Sequence, residues 1–129
     1  MIVIFGGAYQ GKLDYAKEKF NICDDDVFTC AYNQAAIDTT ARVIYGLENF
    51  TFACVKAGLE ARDELAALRG QLEDKIIICA DISQGIVPLD ADQRAWREMN
   101  GRCMLWLGRE ADRVIRVFCG LGQDIRQEG

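Results

Sequence analysis

The chain has 129 residues, of which 50% are apolar and 27% are charged, and its formal net charge is -5 at pH 7. This is about the length of one domain, and the composition argues against a disordered chain. The acidic balance argues against a nucleic-acid partner, which would require a surplus of lysine and arginine on one face. No apolar run approaches the roughly 20 residues of a membrane span, and the amino end lacks the basic lead of a signal peptide, so we expect a cytoplasmic protein with no membrane partner.

The absence of certain residue types and motifs further limits the metal sites and reaction mechanisms that the chain can support. The chain contains no histidine, and its six cysteines form no C-x-x-C pair. A zinc site of the usual spacing is therefore not expected, and any mechanism that needs an imidazole base or nucleophile is excluded. Free thiols in a reducing compartment are commonly buried, so we expect the cysteines to lie in the core.

The first twenty residues predict a strand, a turn and a helix. Residues 1–5, MIVIF, form a fully apolar run of the kind that is buried on both faces of a parallel sheet. The glycine-rich turn GGAYQG follows it. The segment from Lys12 to Phe20 then predicts a helix with Leu13, Ala16 and Phe20 on one face and charged residues on the other.

The middle of the chain predicts two short strands and a long helix. The strands are expected near Val27 to Cys30 and Val43 to Tyr45, and residues 31–42, which give the weakest pattern, are interpreted as a short helix. Asn49 is the predicted cap of the following helix. The apolar stripe of that helix consists of Phe50, Cys54, Ala57, Ala61, Leu65, Leu68 and Leu72.

The last third predicts a central strand, a capped helix and a final strand. Lys75 to Ala80 is apolar on both faces, so we expect it near the centre of the sheet. Asp90 and Gln93 have the spacing of a variant capping box. The helix that follows is expected to turn Trp96, Met99, Cys103 and either Trp106 or Leu107 inward. Residues 112–120 predict the last clear strand, and the remaining residues form either an edge piece or a frayed end.

The spacing of the first turn is that of a phosphate-binding loop. Gly6, four further residues, Gly11 and Lys12 match the pattern G-x-x-x-x-G-K between a predicted strand and a predicted helix. Such a loop directs successive amides at phosphate oxygens, while the lysine and the helix dipole add positive charge. The expected cofactor is ATP or GTP; the alternative is a plain turn with a solvated lysine. The predicted nucleotide contacts are Gly6, Gly7, Ala8, Tyr9, Gln10, Gly11, Lys12 and Leu13.

The strand and helix pattern, together with this loop, predicts the fold. Strands that alternate with helices indicate an α/β protein with a mostly parallel sheet. We therefore expect a P-loop (RecA-like) three-layer sandwich in which helices flank the sheet. A single nucleotide-binding domain would span residues 1–129.

The eighth loop position departs from the pattern. It is normally Ser or Thr, whose hydroxyl binds Mg²⁺, and Leu13 cannot do this, so the metal would be held by water and by a carboxylate elsewhere. Asp81, directly after the apolar run IIICA, is the predicted Mg²⁺ carboxylate; the alternative is a turn-forming aspartate. Glu48 either binds a substrate hydroxyl or pairs with Lys56 or Arg42. Together with Lys12, these two carboxylates are the predicted catalytic residues.

The second half carries a more specific pattern. Residues 85–122, GIVPLDADQRAWREMNGRCMLWLGREADRVIRVFCGLG, resemble the C-terminal part of the adenosylcobinamide kinase and adenosylcobinamide-phosphate guanylyltransferase family of vitamin B12 synthesis. The matching residues are Gly85, Ile86, Val87, Pro88, Arg97, Gly101, Arg102, Ala111, Asp112, Val114, Gly120 and Gly122. The stretch GGAYQGKL resembles the G-G-x-x-S-G-K-S loop of the same family. The resemblance covers roughly residues 1–20 and 74–126, and the chain is shorter than the family between them.

The resemblance implies a reaction that this chain can perform only in part. Family enzymes phosphorylate adenosylcobinamide with a nucleoside triphosphate and then transfer GMP through a guanylyl-histidine, and the absence of histidine excludes that second step. The family has Ser at the positions of Gln10 and Leu13, which weakens the expected kinase activity. Asp81 stands in place of a family glutamate, and Glu48 corresponds to another family carboxylate.

The implied partners are a nucleotide, the corrinoid adenosylcobinamide and two further copies of the chain, since the family forms trimers. In this context Arg97 and Arg102 would contact phosphates or a neighbouring subunit; the alternatives are a solvated helix residue for Arg97 and an intrachain ion pair for Arg102. A non-catalytic relative, which serves as a nucleotide sensor, partner subunit or scaffold, is the alternative function.

Overall fold

The computed structural model of the protein describes residues 1–82 and 90–127. Within these residues the strands are β1 (Ile2–Gly6), β2 (Val27–Thr29), β3 (Val43–Tyr45), β4 (Ile76–Ala80), β5 (Arg113–Phe118) and β6 (Leu121–Gln127). The α-helices are α1 (Lys12–Phe20), α2 (Leu47–Ala57), α3 (Ala61–Ala67) and α4 (Ala91–Glu110). Short 3-10 turns occupy Asp24–Asp26 and Arg69–Gln71.

All of these strands belong to one sheet, in the order β2-β3-β4-β1-β5-β6. The first five strands along the chain pair in parallel, and β6 pairs antiparallel with β5. The two most apolar runs of the sequence, β1 and β4, lie side by side at the centre, as their lack of a polar face predicts. The chain is therefore an α/β protein with a mostly parallel sheet, and the carboxyl ends of β1, β3 and β4 share one edge.

Helices cover both faces of the sheet. Because successive side chains of a strand point to opposite faces, Val3 packs into the larger core cluster beneath α2, α3 and α4, while Ile4 packs into the smaller cluster beneath α1. Ile77 and Ile78 of β4 divide in the same way. No helix in the described part of the chain is long and apolar enough to cross a membrane.

The long helix that was predicted to follow Asn49 starts earlier in the structure and is divided into two helices. Helix α2 begins at Leu47 behind Gly46, whose carbonyl accepts from the amide of Asn49, so Asn49 lies in the first turn rather than at the cap. The side-chain amide of Asn49 donates instead to the carbonyl of Cys30 (3.3 Å). The helix ends at Gly58, which adopts a left-handed conformation (φ 72°) that an L-residue rarely tolerates, and α3 starts as a separate helix.

The short helix predicted at residues 31–42 is also wrong. That segment consists of turns and irregular backbone. The carboxylate of Asp38 accepts from the backbone amide of Thr40 (2.9 Å), which is the kind of local bond with which short polar side chains compete against helix formation. Ala35 and Ile37, two residues apart, are the parts of the segment that pack on the larger core cluster.

The carboxyl-terminal helix confirms its predicted cap. The carboxylate of Asp90 accepts from the amide of Gln93 (2.7 Å), and Met99, Cys103 and Leu107 are buried. The expectation of core thiols is correct for Cys30, Cys54, Cys79 and Cys103 and wrong for Cys23 and Cys119, which are exposed. The turn that the G-I-V-P motif predicts at residues 85–88 lies outside the described residues.

Candidate functional site

The glycine-rich loop lies at the carboxyl edge of the sheet. Residues 7–11 connect the end of β1 to the start of α1. Gly11 precedes the helix in a left-handed conformation (φ 81°), which glycine adopts at little cost. In open α/β sheets, ligands bind beyond the carboxyl ends of the strands, so the loop occupies the position where a ligand is expected.

Backbone amides at this loop lack protein partners. The amides of Ala8, Tyr9, Gly11, Lys12 and Leu13 donate no hydrogen bond to any other described residue. The last two open a helix of nine residues, where unpaired amides and the helix dipole favour an anion. The loop therefore offers several donors for which the described residues supply no acceptor.

These residues line an open cleft of about 600 Å³. Residues 8–14 form one wall, and the other wall consists of Tyr45 at the end of β3, Glu48 in the first turn of α2 and Ala80 at the end of β4. This volume lies within the usual range of small-molecule sites, about 300–1,000 Å³. The cleft thus brings the loop, the start of α1 and the start of α2 to one place.

Lys12 supplies the positive charge of the cleft. The residue is only 8% exposed, and its Nζ donates to the carbonyl of Gly7 at 2.7 Å. Burial lowers the pKa of the Lys12 ammonium group, and the carboxylate of Glu48 opposes that shift. One of the three donors of the ammonium group is used by the loop itself, and an anion in the cleft would offset the cost of burying the charge.

Glu48 is the carboxylate that faces this lysine. Its Oε1 accepts from the backbone amide of Ala80 at 2.9 Å, which places the carboxylate at the end of β4. The indole of Trp96 donates to the Glu48 carbonyl (2.8 Å) and fixes the first turn of α2. Neither predicted ion-pair alternative is correct, because Lys56 pairs with Asp92 and Arg42 with Asp26.

Asp81 lies beside the loop cleft rather than in it. Its amide donates to the carbonyl of Gly6 at 2.8 Å, and the residue lines a second cleft of about 350 Å³ between the sheet and α4, together with Arg97 and Asn100. Ala80 is the last residue of β4 that lines the loop cleft. The structure therefore brings Lys12 and Glu48 together and places Asp81 in the neighbouring cleft.

Some of the remaining predicted residues line a cleft, and others make contacts within the protein. Leu13 is half-buried, packs against the smaller core cluster and also lines the loop cleft, where it presents no oxygen to a metal. Among the described residues there is no cluster of three or more metal-ligating side chains. Arg102 forms the predicted intrachain ion pair, with two hydrogen bonds to Glu60 (3.0 and 3.3 Å), and Arg97 lines the second cleft.

Sequence reasoning missed a buried polar network behind the site. Asn100 is 2% exposed; its Oδ1 accepts from the hydroxyl of Thr51 (2.9 Å), and its Nδ2 donates to the carbonyl of Ala80 (3.3 Å). A polar residue at an inward position of α4, between Met99 and Cys103, is the signal that was available. The network ties α2 and α4 to the end of β4 and so supports the wall of the cleft.

The site has to be interpreted from its own geometry. No protein-family model matches the chain, and no curated protein matches it in sequence.

Proposed function

We propose that this protein has a P-loop fold and binds the phosphate chain of a nucleoside triphosphate, ATP or GTP, in the loop cleft. The observation that carries the proposal is the combination of unpartnered loop amides with the buried ammonium group of Lys12 on one cleft. An anion fits both features, since hydrogen bonds between charged and backbone groups stabilise by about 1.5–3 kcal/mol each. Phosphate oxygens provide several acceptors at the spacing of successive amides.

The arrangement favours weak dependence on a metal. Mg²⁺ prefers several oxygen ligands, and the loop cleft supplies one carboxylate, Glu48, while Leu13 supplies none. The donor set therefore fits Mg²⁺ that would be held mainly by phosphate oxygens and water, and Glu48 would be the carboxylate of the cleft that could contact this water. A metal held there would neutralise developing charge on the phosphates.

Phosphorylation of adenosylcobinamide is the second candidate function. Its support is the family resemblance at both ends of the chain together with the presence of Glu48 opposite Lys12 in the cleft. In this reaction Lys12 binds the terminal phosphates, and Glu48 accepts a hydrogen bond from the attacking hydroxyl and orients it. Without histidine, guanylyl transfer through a guanylyl-histidine is not part of the proposal. The resemblance also supports a homotrimer.

Loss of catalysis with retention of binding is the alternative within the same site. Leu13 in place of a hydroxyl and Asp81 in the neighbouring cleft both favour it. In that case the protein acts as a nucleotide sensor or partner subunit. A scaffold that binds no nucleotide is the remaining alternative.

Calorimetry with ATP and GTP, with and without Mg²⁺, tests the proposal. We expect binding of at least one nucleotide, and the Lys12→Gln variant should bind about 10–100-fold more weakly, because one charge-assisted contact is lost. Lys19→Gln is the matched control, since Lys19 is an exposed lysine in the last turn of the same helix. Equal affinity in the two variants, or no heat from the wild-type protein, would refute nucleotide binding at this loop.

A separate assay distinguishes the kinase from the sensor. The protein is incubated with adenosylcobinamide and the nucleotide that binds, and the phosphorylated corrinoid is sought by mass spectrometry. A kinase forms product, and Glu48→Gln reduces the rate while nucleotide affinity changes little. Tight binding without product supports the sensor.

A further inference from the structure

Gln10 connects the glycine-rich loop to the opposite end of the chain. Its side-chain Oε1 accepts from the backbone amide of Cys119 at 2.7 Å. Its own carbonyl accepts from the amide of Gly120 at 2.8 Å. One loop residue thus takes two hydrogen bonds from residues more than a hundred positions away.

The two donors form the turn between β5 and β6. The ladder of this hairpin ends with Phe118 opposite Leu121, so Cys119 and Gly120 are the two turn residues. Both have positive φ (51° and 76°), as two-residue turns of type I′ require. The backbone amides of these two turn residues do not take part in the hydrogen bonds between β5 and β6, and both donate to Gln10 instead.

The loop also packs tightly against this hairpin. A Cβ on Gly11 would lie 3.4 Å from the Cα of Gly120, and a Cβ on Gly6 would lie 2.4 Å from the carbonyl oxygen of Val117. The first and last glycines of the loop therefore both rest on the backbone of β5 and its turn. The unpartnered amides of Gly11 and Lys12 follow Gln10 directly in the chain.

We infer that Gln10 is a positioning residue that fastens the loop to the Cys119–Gly120 turn and thereby sets the geometry in which the loop amides bind phosphate. The inference rests on the proposed nucleotide function and deepens it, because it makes the β5–β6 hairpin part of the phosphate site. The Oε1 of the Gln10 carboxamide contacts the hairpin, and the residue also lines the loop cleft. The inferred effect of the hairpin contact on binding is indirect, through a loop that is ordered before the nucleotide arrives.

Two variants and a control test this role. Gln10→Met keeps the length of the side chain and removes the acceptor, whereas Gln10→Glu keeps an oxygen that accepts from the Cys119 amide. Gln123→Met makes the first change at an exposed position of the same hairpin. Hydrogen exchange of the Cys119 amide, measured without nucleotide, reports the contact itself. We expect about tenfold faster exchange in Gln10→Met and wild-type protection in Gln10→Glu and Gln123→Met.

Calorimetry with ATP then measures the consequence for the site. Gln10→Met should bind about fivefold more weakly, the equivalent of one net hydrogen bond, and Gln123→Met should bind as the wild type does. Unchanged ATP affinity in Gln10→Met despite faster exchange would overturn the positioning role, and unchanged exchange would overturn the contact. Failure of the wild-type protein to bind any nucleotide would instead refute the proposed function, while exchange at Cys119 would still decide whether Gln10 fastens the turn.

Discussion

Replacing Gly6 with alanine probes the closest backbone approach at the loop. The new Cβ would lie 2.4 Å from the carbonyl oxygen of Val117, whereas real Cβ atoms essentially never approach other atoms closer than 3.0 Å. The neighbour is backbone of the adjacent strand β5, so no side chain can rotate away and the two strands must separate by about half an ångström or more. Such overpacking costs about 3 kcal/mol, a large part of the 5–15 kcal/mol that typically stabilises a domain.

Gly7→Ala is the matched control one residue away. Its Cβ would meet the Cγ of Gln10 at 3.7 Å, which is an ordinary contact, and its backbone does not have the positive φ that disfavours alanine. We expect a change within about 1 kcal/mol of zero, because the loss of chain entropy in the unfolded state offsets small adjustments. Urea unfolding of both variants, followed by circular dichroism, measures the difference. Equal midpoints for Gly6→Ala and Gly7→Ala would refute the reasoning.

The other four predictions concern the metal, the polar network and the thiols. Leu13→Ser should cost about 1–2 kcal/mol of stability, because a half-buried apolar side chain is lost. The new hydroxyl should also make ATP bind more tightly when Mg²⁺ is present. If calorimetry shows no such gain, the proposed position of Mg²⁺ in the cleft is wrong. Asn100→Ala should cost about 2–3 kcal/mol in urea unfolding, because it removes the buried hydrogen bonds of the side-chain amide to the Thr51 hydroxyl and to the Ala80 carbonyl, whereas the exposed Asn33→Ala should stay within about 0.5 kcal/mol of the wild type. A thiol reagent should modify only the two exposed cysteines of the native protein rapidly. Burial raises the pKa of the Cys30 thiol from 9.0 to about 12, so the folded state retains a proton that the unfolded state loses, and the urea midpoint should fall as the pH rises from 9 toward 12; a flat profile would contradict this.

Much of the fold could be predicted because its signals are local. The predicted bounds of α1 and β3 agree with the structure, since a strand needs only an apolar run and a helix only a 3.6-residue period. The start of α2 was predicted wrongly because its N-cap is a glycine rather than a polar residue. A hydrogen bond between backbone groups does not require a particular side chain, so the sequence gives no signal for it. The helix predicted at residues 31–42 was wrong because the conformation of this segment depends on contacts with the core and on the Asp38 side chain.

The site could be predicted only in its contiguous part. The spacing of glycines and lysine placed Lys12 on the cleft, because all the residues of the loop follow one another. The choice between the two carboxylates depends on tertiary structure: Glu48 reaches the amide of Ala80 across 32 residues, while the next residue, Asp81, lines the neighbouring cleft. The contact of Gln10 with the hairpin turn spans 109 residues and has no counterpart in any local pattern.

The place of β1 in the sheet determines when the loop can form during synthesis on the ribosome. This first strand pairs with residues 76–80 on one side and 113–116 on the other, and it has no strand partner among the described residues 7–75. Such distant pairing carries a large loop-closure entropy and slows folding. Because β1 precedes both of its partners in the chain, the glycine-rich loop that follows β1 can acquire its full structure only after β4 and β5 have been synthesised.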